Sequence, residues 1–147
     1  MEAACYDPAI FTDGPNVVLV YQDASNNVKW RKSTDVGQTW SSASTIWTPA
    51  YQLNNQIAAV SGGFTRSGIF YKDATSLAFR LWNPAASTWS APQTYDTGKT
   101  IAGISACYTP SLPPACGGAG GGEVGWLVAL ILEDYADWTD SALVLTT

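Results

Sequence analysis

The chain has 147 residues and a formal net charge of −5, with 13% charged and 46% hydrophobic residues. Its seven Lys and Arg residues are scattered, which argues against nucleic acid or an anionic membrane as a partner. It contains no histidine, so a Ser-His-Asp triad and a histidine zinc site are both excluded. Because no carboxylates are clustered with ligand spacing either, we expect no metal and no cofactor.

The length fits a single domain, which we assign to residues 1–147. Glycine, serine, threonine, asparagine and aromatic residues are common, which favours short strands and tight turns over helices. The longest apolar run, residues 126–132, is too short to span a membrane and predicts one buried strand. Residues 1–7 are too polar and too short for a secretory signal, so a secreted location is a hypothesis that assumes a signal was removed.

The first part of the chain predicts four short strands, at about 4–11, 16–23, 28–34 and 44–51. Between the third and the fourth lies the segment Ser33-Thr34-Asp35-Val36-Gly37-Gln38-Thr39-Trp40. The Asp35 carboxylate can accept hydrogen bonds from backbone N–H groups that follow it, and Gly37 can supply the positive φ of a tight turn. Trp40 can cover the turn from beneath. We predict a structural hairpin that depends on Ser33, Asp35, Gly37, Thr39 and Trp40.

The next part of the chain repeats the first. Tyr21-Gln22-Asp23-Ala24-Ser25 recurs as Tyr71-Lys72-Asp73-Ala74-Thr75, and Gln38-Thr39-Trp40-Ser41 recurs as Ser87-Thr88-Trp89-Ser90. The repeat predicts four more strands, at about 56–63, 67–73, 77–83 and 91–97. Its own hairpin has lost the aspartate and the glycine but keeps Thr88 and Trp89, for which we predict the same structural role.

A third unit begins at residue 100, where Thr100-Ile101-Ala102-Gly103-Ile104-Ser105 resembles residues 56–61. We predict strands at about 100–108, 126–133 and 141–147, a loop insertion at 109–125, and no fourth strand. The insertion is rich in proline and glycine, but it lacks the Gly-Lys-Ser/Thr ending of a phosphate-binding loop. Cys107 and Cys116 flank its proline-rich part and could form a disulfide, which would leave Cys5 free.

The segment 33–40 matches the pattern Ser-x-Asp-x-Gly-x-Thr-Trp and therefore resembles the Asp-box (BNR) repeats of sialidases, other glycoside hydrolases and several secreted binding proteins. In those proteins the box joins the two outer strands of a propeller blade, away from the substrate pocket. The units of about 50 residues also resemble, more weakly, the fungal and bacterial fucose-binding propeller lectins.

These resemblances imply an all-β propeller made of four-stranded antiparallel blades. Complete blades would lie at about 4–52 and 56–98, and a partial blade at about 100–147. A closed ring usually needs at least four blades, because each blade buries its faces against its neighbours. We therefore expect further blades, supplied by the same longer protein or by another subunit.

Three classes of function fit this architecture. Sialidase chemistry uses three arginines, a tyrosine nucleophile with a glutamate, and an aspartate, whereas this chain has only Arg31, Arg66 and Arg80 and lacks the family's Phe/Tyr-Arg-Ile-Pro signature. Seven Trp and seven Tyr residues favour a non-catalytic, lectin-like protein whose aromatic rings stack on carbohydrate. A fragment of an Asp-box glycoside hydrolase and a structural protein-interaction propeller remain the alternatives.

The candidate glycan site is an arginine beside an aromatic ring between blades, where the guanidinium can bind hydroxyl groups or stack on the ring. The fucose lectins use an arginine and a glutamate at positions where this chain has Leu19 or Ile69, and Trp30 or Phe79. Fucose specificity is therefore not implied. The candidate ligand-binding residues are Trp82, Arg80, Arg31 and Trp30.

Overall fold

The computed structural model describes residues 5–50, 53, 56–62, 67–73, 75–98, 100–109, 125–133 and 139–146. These residues contain twelve β-strands and no helix, arranged in three separate antiparallel sheets, none of which closes on itself. The all-β antiparallel character predicted from the sequence is confirmed. None of the described residues forms a helix long and apolar enough to cross a membrane.

The first sheet is a four-stranded meander of β1 (Cys5–Asp13), β2 (Asn16–Asp23), β3 (Val28–Ser33) and β4 (Ser44–Trp47). A two-residue turn joins β1 to β2, and Gly14 takes the positive φ of 57° that its first position needs. The turn between β2 and β3 is organised by Asp23, whose carboxylate accepts the backbone N–H groups of Ser25 and Asn27 at 2.9 Å each. Short polar turns therefore set the register of this sheet.

The second sheet consists of β5 (Ile57–Val60), β6 (Gly68–Asp73), β7 (Ser76–Asn83), the two-residue β8 (Thr88–Trp89) and β9 (Gln93–Asp96). β7 is its central strand and pairs with β6, β8 and β9. At Gly68 a Cβ atom would collide with the backbone carbonyl of Arg80 on β7, so this strand pairing requires a glycine.

The third sheet contains β10 (Thr100–Thr109), β11 (Gly125–Glu133) and β12 (Thr139–Thr146), with β11 in the middle. A register shift between Ile101 and Gly103 bends β10 against β11. Eleven of the twelve strands lie within a few residues of the predicted ranges; the additional one is β8. Most of the predicted loop at 109–125 lies outside the described residues.

The second sheet packs against a neighbouring sheet on each of its two faces. One face packs on the first sheet, and the cluster there contains Phe11, Val18, Val20, Val28, Leu53, Ile57, Ile69, Tyr71, Ala78 and Trp82. The other face packs on the third sheet through Val60, Phe70, Leu77 and Ile101, with Ile104, Ala106 and Tyr108 against them. Successive residues of β6 thus serve different cores, as the two-residue period of a strand requires. The first strands of the three sheets, β1, β5 and β10, lie side by side in that order.

Candidate functional site

The Asp35 carboxylate organises the segment 33–40 as a closed hydrogen-bonded turn. It accepts the Thr39 backbone N–H at 2.8 Å and the Thr39 hydroxyl at 2.6 Å, while the Ser33 hydroxyl donates to it at 2.8 Å. The Ser33 oxygen in turn accepts the Gly37 N–H at 2.7 Å. These donors, the Thr39 hydroxyl foremost, lower the pKa of Asp35 from 3.8 to about 2. The carboxylate is therefore ionised, and it accepts hydrogen bonds from residues of its own turn.

Two residues of this turn have left-handed backbone conformations. Val36 has a φ of 57° and is 82% exposed, and Gly37 has a φ of 90°. A Cβ atom on Gly37 would lie 3.7 Å from the ring of Trp40, which is ordinary van der Waals contact. The glycine is thus needed for its backbone angle rather than for space.

The second hairpin is held by different chemistry. The Asn83 side-chain oxygen accepts the backbone N–H groups of Ala85 and Ala86 at 3.1 and 3.2 Å, and Ser87 has a φ of 50°. The ring of Trp89 packs edge-on against Phe11 of the first sheet, with 5.8 Å between ring centroids. This hairpin therefore contributes to the contact between the two sheets.

An arginine clamp recurs in both sheets at equivalent positions. Arg31 donates from Nε to the Tyr21 hydroxyl at 3.3 Å and from Nη1 to the Ser41 carbonyl at 3.0 Å. In the second sheet Arg80 makes the same two contacts, with the Tyr71 hydroxyl at 3.3 Å and the Ser90 carbonyl at 2.9 Å. The clamp joins the second strand of a sheet, its third strand and the segment that leaves the hairpin.

Trp82 lies inside the protein rather than on its surface. The side chain is 2% exposed, and its indole N–H donates to the Asp13 carboxylate at 2.9 Å. Its ring makes edge contacts with Trp30 and Trp89, at centroid distances of 4.7 and 5.2 Å. A sugar could reach this ring only if the surrounding aromatic cluster opened.

Two further predicted ligand-binding residues, Trp30 and Arg31, lie on opposite faces of the first sheet. Trp30 lies on the face of the first sheet that packs on the second, against the same buried cluster as Trp82. The alternation of β3 directs Arg31 to the opposite face. The structure thus brings Trp30, Trp82 and Arg80 to one seam, defined here as the surface where the first sheet packs on the second. Arg31 lies away from it.

Sequence reasoning missed Trp47, which supplies the aromatic partner of Arg80. The Arg80 guanidinium carbon lies 5.5 Å from the centroid of the partly exposed Trp47 ring, and Trp47 also packs on Tyr71 with 4.1 Å between centroids. The pair Ile46-Trp47 indicates an apolar end to β4, but no local pattern reveals that it reaches the next sheet.

Among the described residues, two lysines form salt bridges with aspartates of the first sheet. Lys29 pairs with Asp23 at 2.8 Å and, with other donors, lowers the pKa of that carboxyl well below its usual range. Lys32 lies 3.6 Å from the Asp13 carboxylate. Across the described ranges, no carboxylate pairs with Arg80.

The residues that the structure describes contain no group of three or more His, Cys, Asp or Glu side chains that could hold a metal ion. Cys5 and Cys107 are exposed thiols. Cys116, the predicted disulfide partner of Cys107, lies outside the described residues, so that pairing stays a prediction.

No protein-family model matches the chain, and no curated protein matches it.

Proposed function

We propose that this chain is a non-catalytic carbohydrate-binding protein built from Asp-box propeller blades, with its glycan site at the exposed edge of the seam. The residues that would contact the sugar are Arg80 and Trp47, and the buried Tyr71 holds Arg80 in position. The observation that carries the proposal is the position of Arg80, whose guanidinium is held by Tyr71 and the Ser90 carbonyl beside a partly exposed tryptophan.

The chemistry of these groups suits a sugar. A guanidinium has five N–H donors, and the contacts with Tyr71 and Ser90 use one each on Nε and Nη1. The remaining donors can bind vicinal hydroxyl or carboxylate oxygens, while the uncovered part of the Trp47 ring offers an apolar surface to sugar C–H groups. Because the clamp fixes the arginine in advance, little side-chain entropy would be lost when a ligand binds.

The Asp23 and Asp35 carboxylates are unsuited to the role of a glycosidase acid. A glycosidase acid that works near neutral pH needs a raised pKa, whereas the pKa values of Asp23 and Asp35 are lowered. Both carboxylates satisfy backbone and hydroxyl donors in turns. We assign them a structural role.

A propeller arrangement is supported by the succession of similar sheets. The first two sheets repeat the same arginine clamp, and each following sheet packs its face on the one before it. The first strands of the three sheets, β1, β5 and β10, are adjacent, as strands around a central axis would be. Three sheets leave such a ring open, so the proposal includes further sheets from outside this chain.

A glycan array with the full chain, followed by calorimetric titration of the best ligand, tests the proposed function. We expect Arg80→Gln to weaken binding by about tenfold or more, since a hydrogen bond from a charged donor contributes about 1.5–3 kcal/mol. Arg31→Gln is the matched control, because it removes the same clamp contacts in the first sheet. Absence of binding by the folded protein across neutral and acidic glycans would overturn the proposal, as would equal losses in both variants at equal stability.

A further inference from the structure

We propose that the ligand of the glycan site is an acidic saccharide, whose carboxylate pairs with the Arg80 guanidinium while the sugar ring lies against Trp47. The inference rests on the proposed function and adds the charge class of the sugar to it. It is carried by the distribution of charge around Arg80, whose contacts are with neutral groups while the neighbouring aspartates are occupied by lysines.

Arg80 contacts neutral groups within the part of the chain that the structure describes. Its Nε donates to the Tyr71 hydroxyl at 3.3 Å, and its Nη1 donates to the Ser90 carbonyl at 2.9 Å. Its guanidinium carbon lies 5.5 Å from the centroid of the Trp47 ring. A phenol, a peptide carbonyl and an indole ring help to hold a cation, but none of them carries a formal negative charge. The positive charge of Arg80 therefore remains available to a ligand.

The aspartates of the first sheet that lie near the seam are each paired with a lysine. Asp13 lies 3.6 Å from Nζ of Lys32, and Asp23 lies 2.8 Å from Nζ of Lys29. Each of these two pairs is neutral as a unit. Arg80 thus adds one positive charge to the seam beyond the charges that balance one another there.

The aspartates of β6 and β9 lie at the far end of the second sheet from Arg80. Asp73 and Asp96 both pair with Ser76, the first residue of β7, and Arg80 comes four residues later on that strand. At a rise of about 3.3 Å per residue, their backbone is about 13 Å from that of Arg80. This is beyond the screening length of about 8 Å at physiological ionic strength, so these carboxylates do little to offset its charge.

The guanidinium donors that remain suit a carboxylate. Two N–H groups on Nη2 and one on Nη1 are left after the contacts with Tyr71 and Ser90. A carboxylate offers two coplanar oxygens that can bind such donors together, and hydrogen bonds between charged partners are about twice as strong as neutral ones. Sugar hydroxyl groups accept the same N–H groups without adding a charge. Because carboxyl groups are ionised near neutral pH, Arg80 should favour an acid over its neutral counterpart.

The position of Arg80 in the seam strengthens this preference. Tyr71 is 3% exposed and Trp47 is partly exposed, so aromatic groups rather than water flank the guanidinium on these sides. Attraction between opposite charges is stronger in such surroundings than in bulk water. Arg31 makes the same clamp contacts but lies on the face of the first sheet that points away from the seam.

Matched pairs of saccharides test the inference. Oligosaccharides that end in glucuronic, galacturonic or sialic acid are compared on an array with their methyl esters, which keep the sugar ring and remove the charge. Calorimetric titration of the full chain then gives the two dissociation constants for the best pair. We expect the acid to bind about tenfold more tightly than its ester.

Variants assign this preference to the guanidinium. Arg80→Gln should bring the ratio of the two dissociation constants close to one, whereas Arg80→Lys keeps the charge and should retain part of the preference. Trp47→Ala should weaken the acid and the ester by similar factors, because an indole ring offers contact area but no charge. Arg31→Gln is the matched control, since it removes the same charge and the same clamp contacts outside the seam and should leave the ratio unchanged. Far-ultraviolet circular dichroism establishes that each variant is folded, and the wild-type ratio tests the inference even if Arg80→Gln does not fold.

Three outcomes would overturn the inference: equal affinities for the acid and its ester, a ratio that folded Arg80→Gln leaves unchanged, or tighter binding of sulfated neutral saccharides than of the carboxylic acids. Binding of neutral sugars and esters as tightly as acids would refute the acidic ligand and leave the proposed function standing. Absence of binding to every saccharide would refute both, so the two failures are distinguishable.

Discussion

Trp82 on β7 donates its indole N–H to the carboxylate of Asp13 on β1, across 69 positions of the chain and between two different sheets. Asp13 is 6% exposed, and Lys32 lies 3.6 Å from the same carboxylate oxygen. A buried polar contact of this kind allows few alternative alignments, because sliding one sheet past the other would leave the Trp82 N–H without its acceptor. The bond therefore fixes how the first and second sheets align.

Replacing Asp13 tests this alignment. Asp13→Ala should lower the free energy of unfolding by about 1–3 kcal/mol, because the Trp82 N–H would be buried without an acceptor. Asp13→Asn keeps an acceptor and should lose clearly less stability than Asp13→Ala. Urea unfolding followed by tryptophan fluorescence measures both, and equal losses would contradict a role for the hydrogen bond.

Trp82 and Trp47 should respond differently to truncation. Trp82→Ala should cost about 3–5 kcal/mol of stability, as expected for a large aromatic side chain removed from a core. Trp47→Ala should cost less, because its ring is partly exposed, but should weaken glycan binding. If Trp82→Ala were folded at wild-type stability and had lost glycan binding, the seam site would have to include Trp82.

The pH dependence of stability should report on the hairpin at 33–40. The folded pKa of Asp35 is lowered from 3.8 to about 2, so its contribution is fully present above the unfolded value and is lost as the pH falls through the folded one. We expect wild-type stability to fall as the pH is lowered between these two values. The stability of Asp35→Asn should fall less steeply over the same range. Urea midpoints across this range measure the slopes. The pKa of Asp23 is also lowered, so Asp23 makes stability fall with falling pH as well. The slope measured in Asp23→Asn therefore isolates the contribution of Asp35.

Two glycine substitutions should separate steric conflict from backbone strain. Gly68→Ala would drive a Cβ atom into the Arg80 carbonyl and should cost about 3 kcal/mol, near the upper end for single substitutions. Gly98→Ala faces open space at a φ of 66° and should cost only about 1 kcal/mol. Thermal or urea unfolding compares them, and equal costs would mean that the β6–β7 pairing adjusts at Gly68.

The strands could be predicted from the sequence because their signals are local. Alternating apolar residues between polar turns mark each strand, and the repeat from Tyr21 to Tyr71 marks corresponding strands in the two sheets. The hairpin at 33–40 was predictable for the same reason, since Ser33, Asp35 and Thr39 bond within a few residues of one another.

The seam could not be predicted in this way because its contacts join distant parts of the chain. Arg80 was a candidate as an arginine beside an aromatic residue, but its ring partner, Trp47, belongs to the preceding sheet. Trp82 has no tryptophan counterpart in the first unit, where Ser33 stands at the equivalent position, so a functional role was a reasonable hypothesis. Only packing reveals that its ring is enclosed by Phe11, Trp30 and Trp89.

The arginine clamp gives a way to find related units in other sequences. The hairpin motif has changed between the two sheets, whereas a tyrosine, an arginine nine or ten positions later and a serine ten positions after that are kept in both. A search pattern built on this spacing would detect degenerate units, such as residues 56–98, in which the aspartate and glycine of the hairpin have been replaced.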